Sequence, residues 1–238
     1  MADLRFLQLA TDPNLIPGVY NACDQWCDYC PVTARCLAFK CQPAAGGGGG
    51  DIYDNVAEMM RASMTFLKDC HEAEGLEPPE ELLRLLDDSE PPAPLPCAPL
   101  EDPLGRMAKH YAMLATAFLA THDHESLTRR LPKREHGPTP FEVFVFYHVL
   151  IGIKICRAIV GSADAARSGS AAARADSNVS AKVALVGIDR SYDALRVMTL
   201  DDGDPRIEHM QRHLARLRRD VESRFPAARA FVRPGLDR

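Results

Sequence analysis

The sequence predicts an all-α protein, a helical bundle of four or more helices with an N-terminal cysteine-rich metal module. Two features lead there. Apolar residues after position 100 recur near the 3.6-residue helical period in long, turn-free stretches. Five of the eight cysteines crowd into the nineteen residues from Cys23 to Cys41. Apolar residues form 46% of the 238-residue chain, enough for a real core and too many for wholesale disorder. The formal charge of −5 removes the domain-wide basic footprint expected of a nucleic-acid binder.

From the N-terminus, residues 1–45 read as the metal module, and Gly46 to Gly50 as a flexible linker. Residues 51–100 read as a helix followed by a proline-rich arm. Ile52, Val56, Met59, Met60, Ser63 and Phe66 keep helical spacing, with Asp51 as N-cap and Gly75 as stop. A short acidic helix is expected from Glu80 to Leu86. The run SEPPAPLPCAPLEDP is too rich in proline for a helix or a central strand. The acidic and proline-rich stretch 77–103 is the expected place for a protein partner.

Residues 101–238 read as the main bundle. Pro103 to about Arg130 forms one helix, with Leu104, Met107, Ala108, Tyr111, Leu114, Ala115 and Phe118 on one face. Thr139 caps the next helix, Pro140 opens it and Gly161 closes it. Its alternating β-branched residues, Val143 to Ile155, leave a strand as the competing reading. SADAARSGSAAARADSN reads as a loop, Ser180 to Leu200 as a further helix. Asp204 and Pro205 begin the last helix, which ends at about Phe225 before Pro226.

The expected location is cytoplasmic, without membrane insertion. The N-terminus shows no basic region followed by a long apolar one. Phe141 to Val160 is long enough to span a bilayer, but it contains Glu142, His148, Lys154 and Arg157, and each central charge would cost roughly 2.5–3.5 kcal/mol. Cysteines in a reducing compartment point to metal or redox chemistry before disulfides.

The cluster reads Cys23-DQW-Cys27-DY-Cys30-PVTAR-Cys36-LAFK-Cys41. Thiolates bind soft or borderline metals, and four complete either a tetrahedral zinc site or the corners of a cubane cluster. Cys23, Cys27, Cys30 and Cys36 are the expected ligands, with Cys41 spare. An iron–sulfur cluster (4Fe-4S) is the leading expectation and zinc the alternative. Cys70, Cys97 and Cys156 are isolated and default to packing.

Two polar stripes interrupt very apolar helices. Glu142, Tyr147, Lys154 and Arg157 fall within one arc of about 140°. Lys182, Asp189, Asp193 and Arg196 form a second stripe, with Arg190 at its edge. A solvated ion-pair network is one reading. The other is a cavity for a small anionic ligand or substrate, held by Lys154, Arg157, Lys182 and Arg190, with Asp189 or Glu142 as catalytic groups that orient it or exchange protons. His209 and His213, spaced i,i+4, offer a non-haem metal enzyme as a further alternative. His122-Asp123-His124, with His110 and Asp189, would supply an HD-hydrolase type of metal set.

The C-x3-C-x2-C spacing is similar to the radical SAM signature. That family's parallel barrel has no counterpart in the downstream pattern, and Cys36 would close the iron that it leaves open. CDQWCDYCPVTARC, SAKVALVGIDRS and FPAARAFVRPGLD together resemble an uncharacterised bacterial family of helical proteins with an N-terminal cysteine cluster. The resemblance implies that cluster and helical body belong together. Two functions thus compete with the non-haem enzyme: an intracellular iron–sulfur protein with an anionic ligand and redox activity, and a zinc-stapled interaction module without catalysis.

Overall fold

The computed structural model describes residues 12–41, 68, 71–72, 75–78, 80, 83, 98–122, 137–202 and 204–237. Among them every regular element is helical and no strand occurs, so Val143 to Ile155 is helix. The chain divides into two compact units. One holds Met1–Leu15 and Leu37–Pro96, the other Ile16–Cys36 and Cys97–Arg238. The cysteine segment 16–36 therefore groups with the helical body, rather than with a separate module over 1–45.

In the first unit, Leu37–Cys41 is a short helix whose Lys40 pairs with Asp12 at 3.4 Å. The expected stop at Gly75 is present. Gly75 takes φ 71°, its N–H donates to Glu72 O (3.1 Å), and the Leu76 N–H donates to His71 O (2.8 Å), a glycine-terminated helix end. The whole of the expected helix 52–66, the Gly46–Gly50 linker, Cys70 and Cys97 lie outside the described residues.

The second unit is built on four long helices: α1 (Pro103–Thr121), α2 (Pro140–Ser168), α3 (Ala171–Asp202) and α4 (Pro205–Arg224). Each of the three with proline at its start has a side-chain cap. Asp102 accepts from Leu104 N, Asp204 from Arg206 N, and Thr139 from Glu142 N while Glu142 returns a bond to the Thr139 N–H. That last pair is a capping box. A four-residue turn, Ala98–Glu101, precedes α1. This corrects the expectation of no helix there, since proline is tolerated in a first turn.

Three boundaries differ from the sequence reading. α1 ends at Thr121, not near Arg130, where Thr121 Oγ1 donates to Phe118 O (3.0 Å) and His122 Nδ1 bonds the same carbonyl (2.9 Å). α2 passes through Gly161 and stops at Gly169, φ 68°. Gly161 is a packing glycine: a Cβ there would lie 3.3 Å from the Ser177 backbone. The expected loop is helical apart from Gly169 and Ser170, because alanine has the highest helix propensity. Ser170 then starts α3, its Oγ accepting from Ala173 N (3.2 Å).

α2 and α3 pack along their lengths, α1 lies against α2, and α4 closes the ring against α3 and α1. The core holds Ala108, Tyr111, Ala115 and Phe118 from α1, and Phe144, Tyr147, Ile151 and Ile155 from α2. It is completed by Leu185, Ile188, Leu195 and Met198 from α3 and by Ile207, Leu214, Leu217 and Val221 from α4. The α1 face matches the spacing read from the sequence. α2 is also long and apolar enough, by length and composition alone, to cross a membrane.

Candidate metal centre and adjoining cleft

Residues 16–36 follow a path of three single-turn 3-10 helices, Val19–Asn21, Cys27–Tyr29 and Thr33–Arg35. The segment closes on itself, since Ile16 N–H donates to Arg35 O at 3.0 Å. Gly18 (φ 69°) starts the first turn, and Gln25 takes φ 64° between Cys23 and Cys27. A non-glycine residue in that left-handed region costs about 1 kcal/mol or more, so its surroundings hold it there.

Two anchors fix the segment to the bundle. The Trp26 ring stacks on Phe146 at 4.2 Å with an interplanar angle of 9°, and meets Tyr29 and Tyr147 edge-on at 5.0 and 5.8 Å. Beside it the Tyr147 hydroxyl donates to Asp24. Arg190 donates to the same carboxylate at 2.9 Å and also to the Tyr147 oxygen. The Arg190 guanidinium lies 5.7 Å from the Tyr147 ring centre. Burial, reinforced by the Asp24 carboxylate, raises the Tyr147 phenol far above its ordinary value, so it stays a donor.

The four expected cysteines all lie on this anchored segment. Cys36 is buried, and Cys23, Cys27 and Cys30 are half-buried; all are free thiols. Burial raises the Cys27 thiol first, and Cys23, Cys30 and Cys36 then each raise it further by like-charge repulsion. Cys23 is likewise raised by burial and by its neighbours Asp24 and Cys36, while Lys154 pulls the other way. Among the described residues, no three His, Cys, Asp or Glu side chains converge closely enough to hold a metal ion as they stand. The chemistry of the donor set, four free thiols on short turns, fits a soft or borderline metal.

A cleft of about 890 Å³ opens beside Cys30. Trp26 and Tyr29 supply aromatic wall, Val143 and Ala194 aliphatic wall, and Arg190, Arg196, Arg233, Asp24 and Asp193 its charge. Three cations against two anions leave it net positive. Arg190 is engaged by Asp24, and Arg233 by Asp237 at 2.7 Å. Arg196 is the loosest, 4.0 Å from Asp193 with both side chains largely exposed.

Of the residues read as holding a ligand, the structure brings only Arg190 to this cleft. Lys154 lies buried on α2. Arg157 makes a two-pronged bond to Asp176 (2.7 and 3.1 Å). Lys182 donates to Arg229 O (3.1 Å) and pairs with Asp237 at 3.6 Å. Asp189 is held by Arg229 (2.6 Å) and Arg218 (3.3 Å), and Glu142 is engaged in the capping box. The stripes thus serve mainly as ion pairs and caps, and neither proposed catalytic carboxylate lines the cleft. His213 donates from Nε2 to Met107 O (2.8 Å), its ring 5.0 Å from that of His110. Burial holds it below the ordinary histidine range, and the nearby His110 and His209 add to that. Asp123 and His124 lie outside the described residues.

Sequence reasoning missed Asp24, Trp26 and Arg233. One signal was available, the single tryptophan set directly before a cysteine of the cluster. Comparison of the chain with protein-family models, with curated proteins and with solved structures returns no match.

Proposed function

We propose that Cys23, Cys27, Cys30 and Cys36 hold a 4Fe-4S cluster, and that the adjoining cleft receives a small anionic ligand, in a redox protein of the reducing cell interior. What supports the reading is four free thiols on one short segment anchored to the bundle, with Cys30 also in the wall of a cleft lined by Arg190, Arg196 and Arg233. The resemblance of the cysteine segment and two downstream stretches to one helical family supports treating cluster and body as a unit. When bound, such a cluster supplies one-electron exchange. The chain's own residues bind and orient: Arg196 offers the least engaged guanidinium and Trp26 with Tyr29 an aromatic wall.

Zinc is the second reading. It is favoured by the sparse core of the segment, whose buried apolar residues among 16–36 are Val19, Ala22 and Cys36. Short turns with so little burial gain most from a metal staple.

Anaerobic purification with iron, zinc and acid-labile sulfide analysis tests both. Iron with sulfide supports the cluster. One zinc per chain without visible absorption makes the cysteines structural. Neither metal, after anaerobic purification and attempted reconstitution, rejects the metal centre.

A further inference from the structure

Cys27 and Cys30 span a single tight turn. Cys27 opens the 3-10 turn Cys27–Tyr29, and the Cys30 N–H donates back to Cys27 O at 3.2 Å. In 3-10 geometry residues three apart eclipse, one above the other, with Cα atoms about 6 Å apart at roughly 2 Å rise per residue. Cys30 has φ −83°, close to the helical value, so its Cβ continues that alignment. A disulfide needs Cα atoms about 4.4–6.8 Å apart with Cβ atoms on the same side. The turn meets that need as it stands.

The neighbouring cysteines are less suited. Cys36 is buried at 9% exposure, and Cys23 Sγ donates to Tyr20 O at 3.4 Å. Cys27 and Cys30 are free, half-buried thiols. Among the described residues no three metal-ligating side chains converge, whereas this pair needs no third group. Trp26, stacked on Phe146 at 4.2 Å, holds the start of the turn against α2.

The two thiols differ in access. Cys30 lines the cleft and Cys27 does not. Arg190, Arg196 and Arg233 line the same cleft, and Arg196 is the least engaged, 4.0 Å from Asp193. Burial raises the Cys27 thiol above its ordinary value, which suits a thiol that reacts second.

We propose that Cys27 and Cys30 are a dithiol–disulfide exchange pair whose substrate is a small, carboxylate-bearing disulfide received in the cleft. Cys30 gives its proton to water and attacks one sulfur of that disulfide as the thiolate. The substrate S–S bond breaks, and one small thiol leaves as thiolate and takes up a proton. Cys27 then gives its proton to water and attacks Cys30 Sγ. The mixed disulfide breaks, and the second small thiol leaves and is protonated in turn. The chain is oxidised by two electrons and the substrate is reduced to two thiols. The inference goes beyond the metal reading and does not rest on it. A bound metal would hold both thiolates and block the exchange.

The test uses the full chain, reduced and freed of metal with a chelator. It is mixed with oxidised glutathione, a polycarboxylate disulfide, or with cystamine, a cationic one. Peptide mapping should find one major new disulfide, Cys27–Cys30, removed by dithiothreitol. Trp26 directly precedes Cys27, so its emission should fall as the bond closes and recover on reduction. Cys27→Ser should stop at a mixed disulfide on Cys30, and Cys30→Ser should lose the reaction at the turn. Cys156→Ser, on α2, should exchange as wild type does. Arg196→Ala should slow the reaction with oxidised glutathione several-fold and leave that with cystamine no slower.

A major disulfide between other cysteines, or none, overturns the inference and leaves the metal reading standing. So does a native chain that closes the bond no faster than the chain unfolded in urea, where neither turn nor cleft is present. An Arg196→Ala chain that reacts with both disulfides at the wild-type rates overturns the anionic substrate.

Discussion

Two glycine-to-alanine substitutions in the bundle should act in opposite directions. Gly187 on α3 faces α2. A Cβ added there would sit 2.8 Å from Tyr147 Cδ1 and 3.1 Å from Ile151 Cγ1. Both neighbours are fully buried, and the tyrosine is held at its far end by Asp24 and Arg190, so the ring has little room to yield. Overpacking of this kind costs roughly 1–3 kcal/mol. Replacing a mid-helix glycine by alanine returns about 0.5–1 kcal/mol. Gly187→Ala should therefore lose on the order of 1–2 kcal/mol. At Gly152 on α2 the nearest atom to an added Cβ is Ala108 O at 3.9 Å, an ordinary contact. Gly152→Ala should keep the helix gain and stabilise by about 0.5–1 kcal/mol. Urea unfolding followed by circular dichroism measures both. Because Trp26 is the single tryptophan and touches Tyr147, its emission should shift in Gly187→Ala and stay unchanged in Gly152→Ala. A Gly187→Ala protein as stable as Gly152→Ala would refute the packing argument.

Other outcomes follow from the same geometry. Thr139→Ala removes the capping box of α2 and should cost about 1 kcal/mol, read as a lower urea midpoint at unchanged slope. Partial burial would raise the Asp237 carboxyl, but the Arg233 guanidinium and backbone N–H, with Lys182 nearby, outweigh it and hold it at about 2 against an ordinary 3.8. A depressed acid contributes stability that is present above its unfolded value and lost as pH falls. The chain should lose on the order of 2 kcal/mol between pH 4 and 2, and Asp237→Asn should abolish that component. Citrate entering the cleft should alter Trp26 emission, and Arg196→Ala should weaken the effect about tenfold, or 1.4 kcal/mol; an unchanged titration would discard Arg196 as the anion contact.

The cysteine cluster and the α1 core face were legible because both are local patterns: close spacing for one, a period of 3.6 for the other. The caps at Thr139 and Asp204 were legible for the same reason, since each bonds a backbone N–H two or three residues on. Gly161 and the alanine-rich run misled because glycine has two uses. A stop and a close helix contact look alike until Ser177 is seen at 3.3 Å. The polar stripes misled for a related reason. Helical periodicity states which charges share a side of one helix, and nothing about the charges that other segments bring. Asp176, Arg218, Arg229 and Asp237 claim most of them, and they lie 19 to 55 residues away along the chain.

By itself, then, the sequence determined the helical class, the starts of α2 and α4, and the crowding of cysteines between Cys23 and Cys41, all of which depend on residues within a few turns of one another. The tertiary structure alone decided that Asp24 and Trp26 tie the cysteine segment to α2 and α3, and that Arg190 reaches a cleft while Asp189 and Lys182 do not. Those outcomes depend on which side chains remain when segments more than a hundred residues apart pack together. Packing is set by shape and desolvation over the whole molecule, which no local pattern records.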